Sequence, residues 1–196
     1  MLNLFPIFDK NWLFMDAEKL EKLRYPIGKF LDPLEYAPGD IKKWIREIEA
    51  LPVLCRKEVE HFSNQMFDES YKPDGWTARQ VIHHIADSHM NAFIRFKLTL
   101  TEDLPTIKPY AEALWAELSD SKAPVEGSLV LLEALHLRFV NLLRNINEEE
   151  FNRSYFHPAN NRKYSLKNAL ALYAWHGKHH LEHLRIVNRK FAITQK

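Results

Sequence analysis

The chain has 196 residues, 46% of them hydrophobic and 12% aromatic. That length favours one compact unit, which can bury a core without help from a disulfide or a structural metal. Lysine and arginine total 27 against 26 acidic residues, and the formal charge of +1 lacks the basic footprint of a nucleic-acid binder. A lone cysteine, Cys55, rules out an intrachain disulfide or a thiolate metal cluster and fits a reducing cytoplasm. No run approaches the ~18 apolar residues of a membrane span, so a soluble protein is expected. The unusual count is histidine, at 10.

The first fifteen residues are apolar but are interrupted by Asp9 and Lys10, with no basic start and no cleavage site, and read as an arm and not a signal. Its Leu2, Leu4, Phe5, Ile7, Phe8, Trp12, Leu13 and Phe14 are expected to pack on the chain's own bundle or on a partner subunit. A helix should follow Pro38-Gly39-Asp40, with Asp40 as its cap and Ile41, Trp44, Ile45 and Ile48 at helical spacing. Pro52 should kink or divide it. The next helix starts at Thr77, where Thr77-Ala78-Arg79-Gln80 has the form of a capping box, and runs to about Leu100.

Residues 101–126 hold three prolines and one short amphipathic piece, Ala111 to Leu118, and read as a long crossover suited to roofing a cavity. A helix from about Ser128 to Ile146 buries Leu132, Leu135, Phe139 and Leu142 or Leu143, with Asn147 capping a short acidic turn. A loop through Tyr155-Phe156-His157-Pro158 leads to Ser165, the cap of a last helix from Leu166 to about Phe191. The fold class is therefore all-α, a four-helix bundle with long crossover connections, and its sites are built from side chains that face inward.

On a wheel of the last helix with His176 at zero, Lys167, Lys178, Glu182, Arg185 and Arg189 lie between ~180° and ~240°, the wet face. His176 and His180 straddle the apolar centre, while His183 and His179 sit nearer the rim. Two imidazoles at i and i+4 can converge on one divalent ion, although a lone buried histidine is more often a hydrogen-bonded core residue. On the second long helix Gln80, Ser88, Asn91 and Arg95 share the stripe of His84, and Arg79, His83 and Lys97 form another. One stripe should face water, and periodicity leaves open which. If the His84 stripe faces inward, His84, His176 and His180 supply three nitrogens and leave a fourth position open, as in catalytic zinc sites. Asn91 and Arg95 would then line the cavity for a polar or anionic group, and Asp87 and Glu182 are candidate acceptors for the outer imidazole nitrogens. Glu58-Val59-Glu60-His61 and Glu133-Ala134-Leu135-His136 each carry half of a di-iron motif. The segment from Thr77 to Leu100 lacks the glutamate such a site needs, so both are taken as solvated faces.

The segment from Gly75-Trp76-Thr77 through His83-His84-Ile85-Ala86-Asp87-Ser88-His89-Met90-Asn91, and the later Leu172-Tyr173-Ala174-Trp175-His176-Gly177-Lys178-His179-His180, resemble the DinB-like superfamily, specifically its YfiT-like metal-dependent hydrolases. Tyr25-Pro26-Ile27-Gly28, Arg95-Phe96-Lys97-Leu98, Lys108-Pro109-Tyr110 with Trp115, and Tyr155-Phe156-His157-Pro158 agree in order and spacing. The resemblance implies one divalent ion, zinc or nickel, on His84, His176 and His180, and a cytoplasmic homodimer. The likeness covers roughly Tyr25 to Val187 and leaves two departures, residues 1–24 as an added arm before a bundle domain over 25–196, and Gly177-Lys178 within a stretch that can be richer in histidine. Related members transfer low-molecular-weight thiols such as bacillithiol to electrophiles. The expected function is thus thiol transfer with no protein nucleophile, the ion activating the thiol. The alternatives are hydrolysis by activated water and a non-catalytic metal-binding stress protein.

Overall fold

A computed structural model of the chain describes residues 16–33 and 35–194. The arm's apolar positions from Leu2 to Phe14 lie outside them. Asp16 caps the short helix α1 (Ala17–Arg24), whose Leu23 packs against the core. Four long helices form the bundle: α2 (Asp40–Val59), α4 (Ala78–Thr101), α6 (Glu126–Arg144) and α7 (Leu166–Thr194). Two single turns, α3 (Asn64–Phe67) and α5 (Glu112–Trp115), sit in the connections. Both α2 and α4 pack on α6 and α7, which sets α2 and α4 diagonally across the bundle. No helix among the described residues is long and apolar enough to cross a membrane.

Local chemistry explains most boundaries. The capping box at α4 is present in both directions, Gln80 N–H to Thr77 Oγ1 at 3.2 Å and Thr77 N–H to Gln80 Oε1 at 3.0 Å. Ser165 Oγ accepts the Asn168 N–H at the start of α7, and Asn147 and Glu150 cap each other's backbone after α6. At α2 the cap differs from expectation. Gly39, with φ of 94°, occupies the cap position because only glycine takes that left-handed conformation freely, and Asp40 inside the helix accepts the Ala37 N–H instead.

Pro52 does not divide α2, which runs unbroken through it. Proline removes the N–H that would have bonded the carbonyl four residues earlier, that of Ile48. His136 Nδ1 lies 2.7 Å from that oxygen and replaces the lost bond, so His136 is buried and not on a solvated face as expected. The segment expected as a loop before α7 is a hairpin, β1 (Ser154–His157) paired antiparallel with β2 (Arg162–Ser165). The crossover adds a parallel bridge to it, Phe156 N–H to the Pro105 carbonyl at 2.9 Å and Ile107 N–H to the Phe156 carbonyl at 3.0 Å.

The core divides into two apolar clusters. One joins Ile45, Ile48, Phe96, Phe139, Leu143 and Leu170, and the other joins Leu51, Val81, Ile85, Leu132, Leu181 and Leu184. At the junction, α4 contributes His89, α6 His136 and α7 His176 and His180, a layer of imidazoles where the apolar pattern breaks.

Candidate metal centre

The capping box fixes the start of α4 and so the direction of each side chain on it. Its His84 stripe faces inward. His84 is buried at 5% exposure, Ser88 is buried, and the Gln80 amide donates to the Ala116 carbonyl of the crossover at 2.9 Å. The other stripe is split: Lys97 is exposed, but His83 is buried under the crossover, its ring nitrogens 2.7 Å from Ser128 Oγ and 3.1 Å from the Ala123 carbonyl.

His84 meets His176 and His180 of α7 across the helix interface. Ring centroids stand 5.1 Å apart for His84 and His176, 4.7 Å for His84 and His180, and 4.5 Å for His176 and His180. The indole of Trp76 covers the group, 4.6 Å from the His84 ring. Burial holds His84 down to about 4, and burial followed by the neighbouring imidazoles holds His176 and His180 well below the usual histidine value. All three are therefore neutral near pH 7, the form that binds metal.

The residues fit a divalent ion. One ligand nitrogen from each ring lies within 4.8 Å of the others, and the Nε2 atoms of His84 and His176 are 3.1 Å apart. Two nitrogens about 2.0–2.1 Å from one tetrahedral ion would stand roughly 3.3 Å apart. His179, His180 and His183 form a second close group, but all three lie on α7. There His183 is stacked on Tyr71 at 3.7 Å between centroids, with its Nδ1 3.3 Å from His180 Nδ1. His179 is stacked on Trp175 at 4.5 Å and tilted against Tyr25 at 6.0 Å. The helical wheel put His179 and His183 near the rim. Both are buried, because Tyr25, just after α1, and Tyr71, in the loop before α4, cover that side.

The remaining predicted residues are placed less uniformly. The Arg95 guanidinium donates to the Tyr173 hydroxyl at 2.8 Å, has no carboxylate partner among the described residues, and leaves its buried Nε unpaired. Asn91 turns its amide back to the Asp87 carbonyl at 2.8 Å. Glu182 pairs with Arg185 at 3.3 Å and Arg189 at 2.8 Å instead of bonding an imidazole. The half-buried Asp87 carboxyl is raised to about 6 by burial and then by Asp120, and it has no hydrogen bond to an imidazole. In the two Glu-x-x-His motifs, Glu133 pairs with Arg56 and Glu58 with Asn188, so neither glutamate is free for a metal. Sequence patterning missed His89, and it placed His136 on a solvated face and His183 near the rim. The usable signal was the excess of histidines, ten against the three that a single site needs.

Residues 47–184 match the DinB superfamily. A protein of Bacillus cereus (strain 03BB102) named "Putative metal-dependent hydrolase" is 47% identical over 171 residues, covering 87% of this chain and 98% of that protein. Proteins of the same name from Bacillus thuringiensis subsp. konkukian and Bacillus anthracis match to the same extent. The solved structure of YfiT from Bacillus subtilis, described as a probable metal-dependent hydrolase with an unusual four-helix bundle topology, superposes with a TM-score of 0.85 at 44% identity, over 87% of this chain and 98% of that one. With these matches and the shared bundle, the chain belongs to the DinB superfamily.

Proposed function

We propose that this protein is a metal-dependent enzyme that holds one divalent ion, zinc or nickel, on His84, His176 and His180 and transfers a low-molecular-weight thiol to an electrophile. The observation that carries the metal is the convergence of three neutral imidazoles from two helices, His84 and His180 buried and His176 half-buried, with two Nε2 atoms 3.1 Å apart. When bound, a divalent ion there supplies Lewis acidity that lowers the pKa of a thiol or a water.

The chain's own residues favour a thiol that carries an anionic group. Arg95 lies on the inward stripe three turns beyond His84, and among the described residues its guanidinium has only the Tyr173 hydroxyl as a hydrogen-bond partner, which leaves donors for a carboxylate. Tyr173 links the two regions, bonded to Arg95 and with its ring 6.3 Å from that of His176. In the transfer, a sulfur–carbon bond forms as the bond from that carbon to its leaving group breaks, and the thiol proton passes to solvent. Dimerisation and a cytoplasmic setting belong to the same proposal, carried by the family resemblance.

A hydrolytic reading is favoured by the names of the relatives and by Asp87, a carboxyl near 6 one turn along α4 from His84 and suited to general-base work. The deciding experiment measures metal content of the purified protein and assays a chloro-nitroaromatic or bimane against a panel of cellular thiols, alongside ester and amide substrates. Metal-dependent conjugation, lost in His176→Ala, supports transfer. Turnover of esters or amides with no conjugation, abolished by Asp87→Asn, replaces it with hydrolysis.

A further inference from the structure

The buried ring nitrogens without a hydrogen-bond partner among the described residues include His176 Nδ1 and His89 Nε2. Their rings are 5.8 Å apart between centroids, tilted by 43°. His89 is wholly buried and belongs to a chain of groups whose protons can be counted from one end. Pro52 leaves the Ile48 carbonyl without its helical donor. A carbonyl only accepts, so His136 Nδ1, 2.7 Å away, carries a hydrogen. His136 is buried and neutral, and its Nε2 is therefore a lone pair. His89 Nδ1, 3.0 Å from it, must donate. The nitrogen left over, His89 Nε2, is an acceptor.

The complement lies on α7. A neutral His176 that gives Nε2 to a cation keeps its proton on Nδ1, which then needs an acceptor. On the other ligand of α7 the same arithmetic runs outward. His180 Nδ1 is 3.3 Å from His183 Nδ1, which leaves His180 Nε2 for the metal site. If His180 Nδ1 donates, His183 carries its own proton on Nε2. His183 Nε2 has no hydrogen-bond partner among the described residues; the carbonyls of Leu23 and Arg24, the last residues of α1 and without a helical donor, are the backbone acceptors that favour a proton on that ring.

We propose that histidines, not carboxylates, support both metal ligands of α7. His89 accepts from His176 and is fixed through His136 by the Ile48 carbonyl that Pro52 frees, while His183 accepts from His180. These three are positioning residues that select the ligand tautomers. The inference rests on the metal assignment above and explains why neither Asp87 nor Glu182 bonds an imidazole.

The test uses the full chain with histidine labelled in 15N. Long-range 1H–15N correlation near pH 7.5 reads each ring's tautomer directly, without any substitution. His89 and His136 are expected in the Nδ1–H form with or without zinc, and His183 in the Nε2–H form once zinc is bound. Chelator competition then compares variants. His89→Phe is expected to weaken zinc binding by about 10- to 100-fold, with the metal-free protein still helical. His89→Gln is expected to recover most of the affinity, since its amide donates to His136 and its carbonyl accepts from His176. Finding His89 or His136 as the Nε2–H tautomer, or parental zinc affinity in His89→Phe, overturns the proposal. If His89→Phe fails to fold, the tautomers of the parent decide. A parent that binds no zinc, with its tautomers as expected, refutes the metal assignment and leaves the Ile48–His136–His89 chain established as a purely structural network.

Discussion

At the scale of single residues, the proposed metal site sets its three candidate ligands apart from histidines that share their chemistry but not their direction. Ala replacement of His84, His176 or His180 should reduce bound metal from about one ion per chain to near none, measured by plasma emission after gel filtration, because a three-ligand site holds zinc poorly after losing one. His83→Ala should keep its metal, since that ring is spent on Ser128 and the Ala123 carbonyl. Arg95 makes a different prediction. A charge-assisted hydrogen bond to a substrate carboxylate contributes about 1.5–3 kcal/mol. Arg95→Ala should therefore raise KM for the thiol by roughly ten- to a hundredfold and leave KM for the electrophile nearly unchanged, as steady-state kinetics with each substrate varied in turn would reveal.

At the scale of elements, the register of α7 against α2 decides whether the imidazoles meet. Gly177 lies between His176 and His180 and packs on α2. A Cβ there would stand 2.6 Å from Leu51 Cδ2 and 3.3 Å from Cδ1, and Leu51 is buried in the core. Alanine would gain about 1 kcal/mol in helix propensity, but overpacking a close-packed core costs typically 1–3 kcal/mol. Gly177→Ala should thus destabilise by up to about 2 kcal/mol and weaken metal binding by spreading α7 from α2, which urea unfolding and chelator titration would measure. An unchanged midpoint would mean that Leu51 turns aside freely. Pro52 follows the same logic: a residue that costs a helix one hydrogen bond is tolerated because a neighbouring helix supplies a replacement donor.

At the scale of the whole molecule, the layer of imidazoles makes stability depend on pH. Burial holds His84, His136 and His179 near 4 and His183 near 3, against about 6.5 in an unfolded chain. The unfolded state then binds more protons between pH 6.5 and 4, so stability is full above 6.5 and falls as pH drops through that window. The metal-free protein should take up more than about two protons on unfolding at pH 5, visible as a steep fall in the urea midpoint between pH 6.5 and 5. A flat profile would mean that these rings are solvated. Chelation at pH 7.5 should lower the melting temperature but preserve helical circular dichroism, because two apolar clusters hold the bundle without the ion.

The sequence by itself determined what depends on neighbours in the chain. Helix ends followed from Thr77 with Gln80 and from Ser165, because a cap needs only residues three apart. The pairing of His176 with His180 followed from helical spacing. The tertiary structure alone decided what depends on which faces meet. It turned the His84 stripe inward, buried His179 and His183 under Tyr25 and Tyr71, and set His136 against a carbonyl 88 residues away. Periodicity assigns a side chain a direction about its own helix axis, but burial is a property of what lies along that direction. For His89, His136 and His183 that environment is made by other helices and loops, so no local pattern could place them.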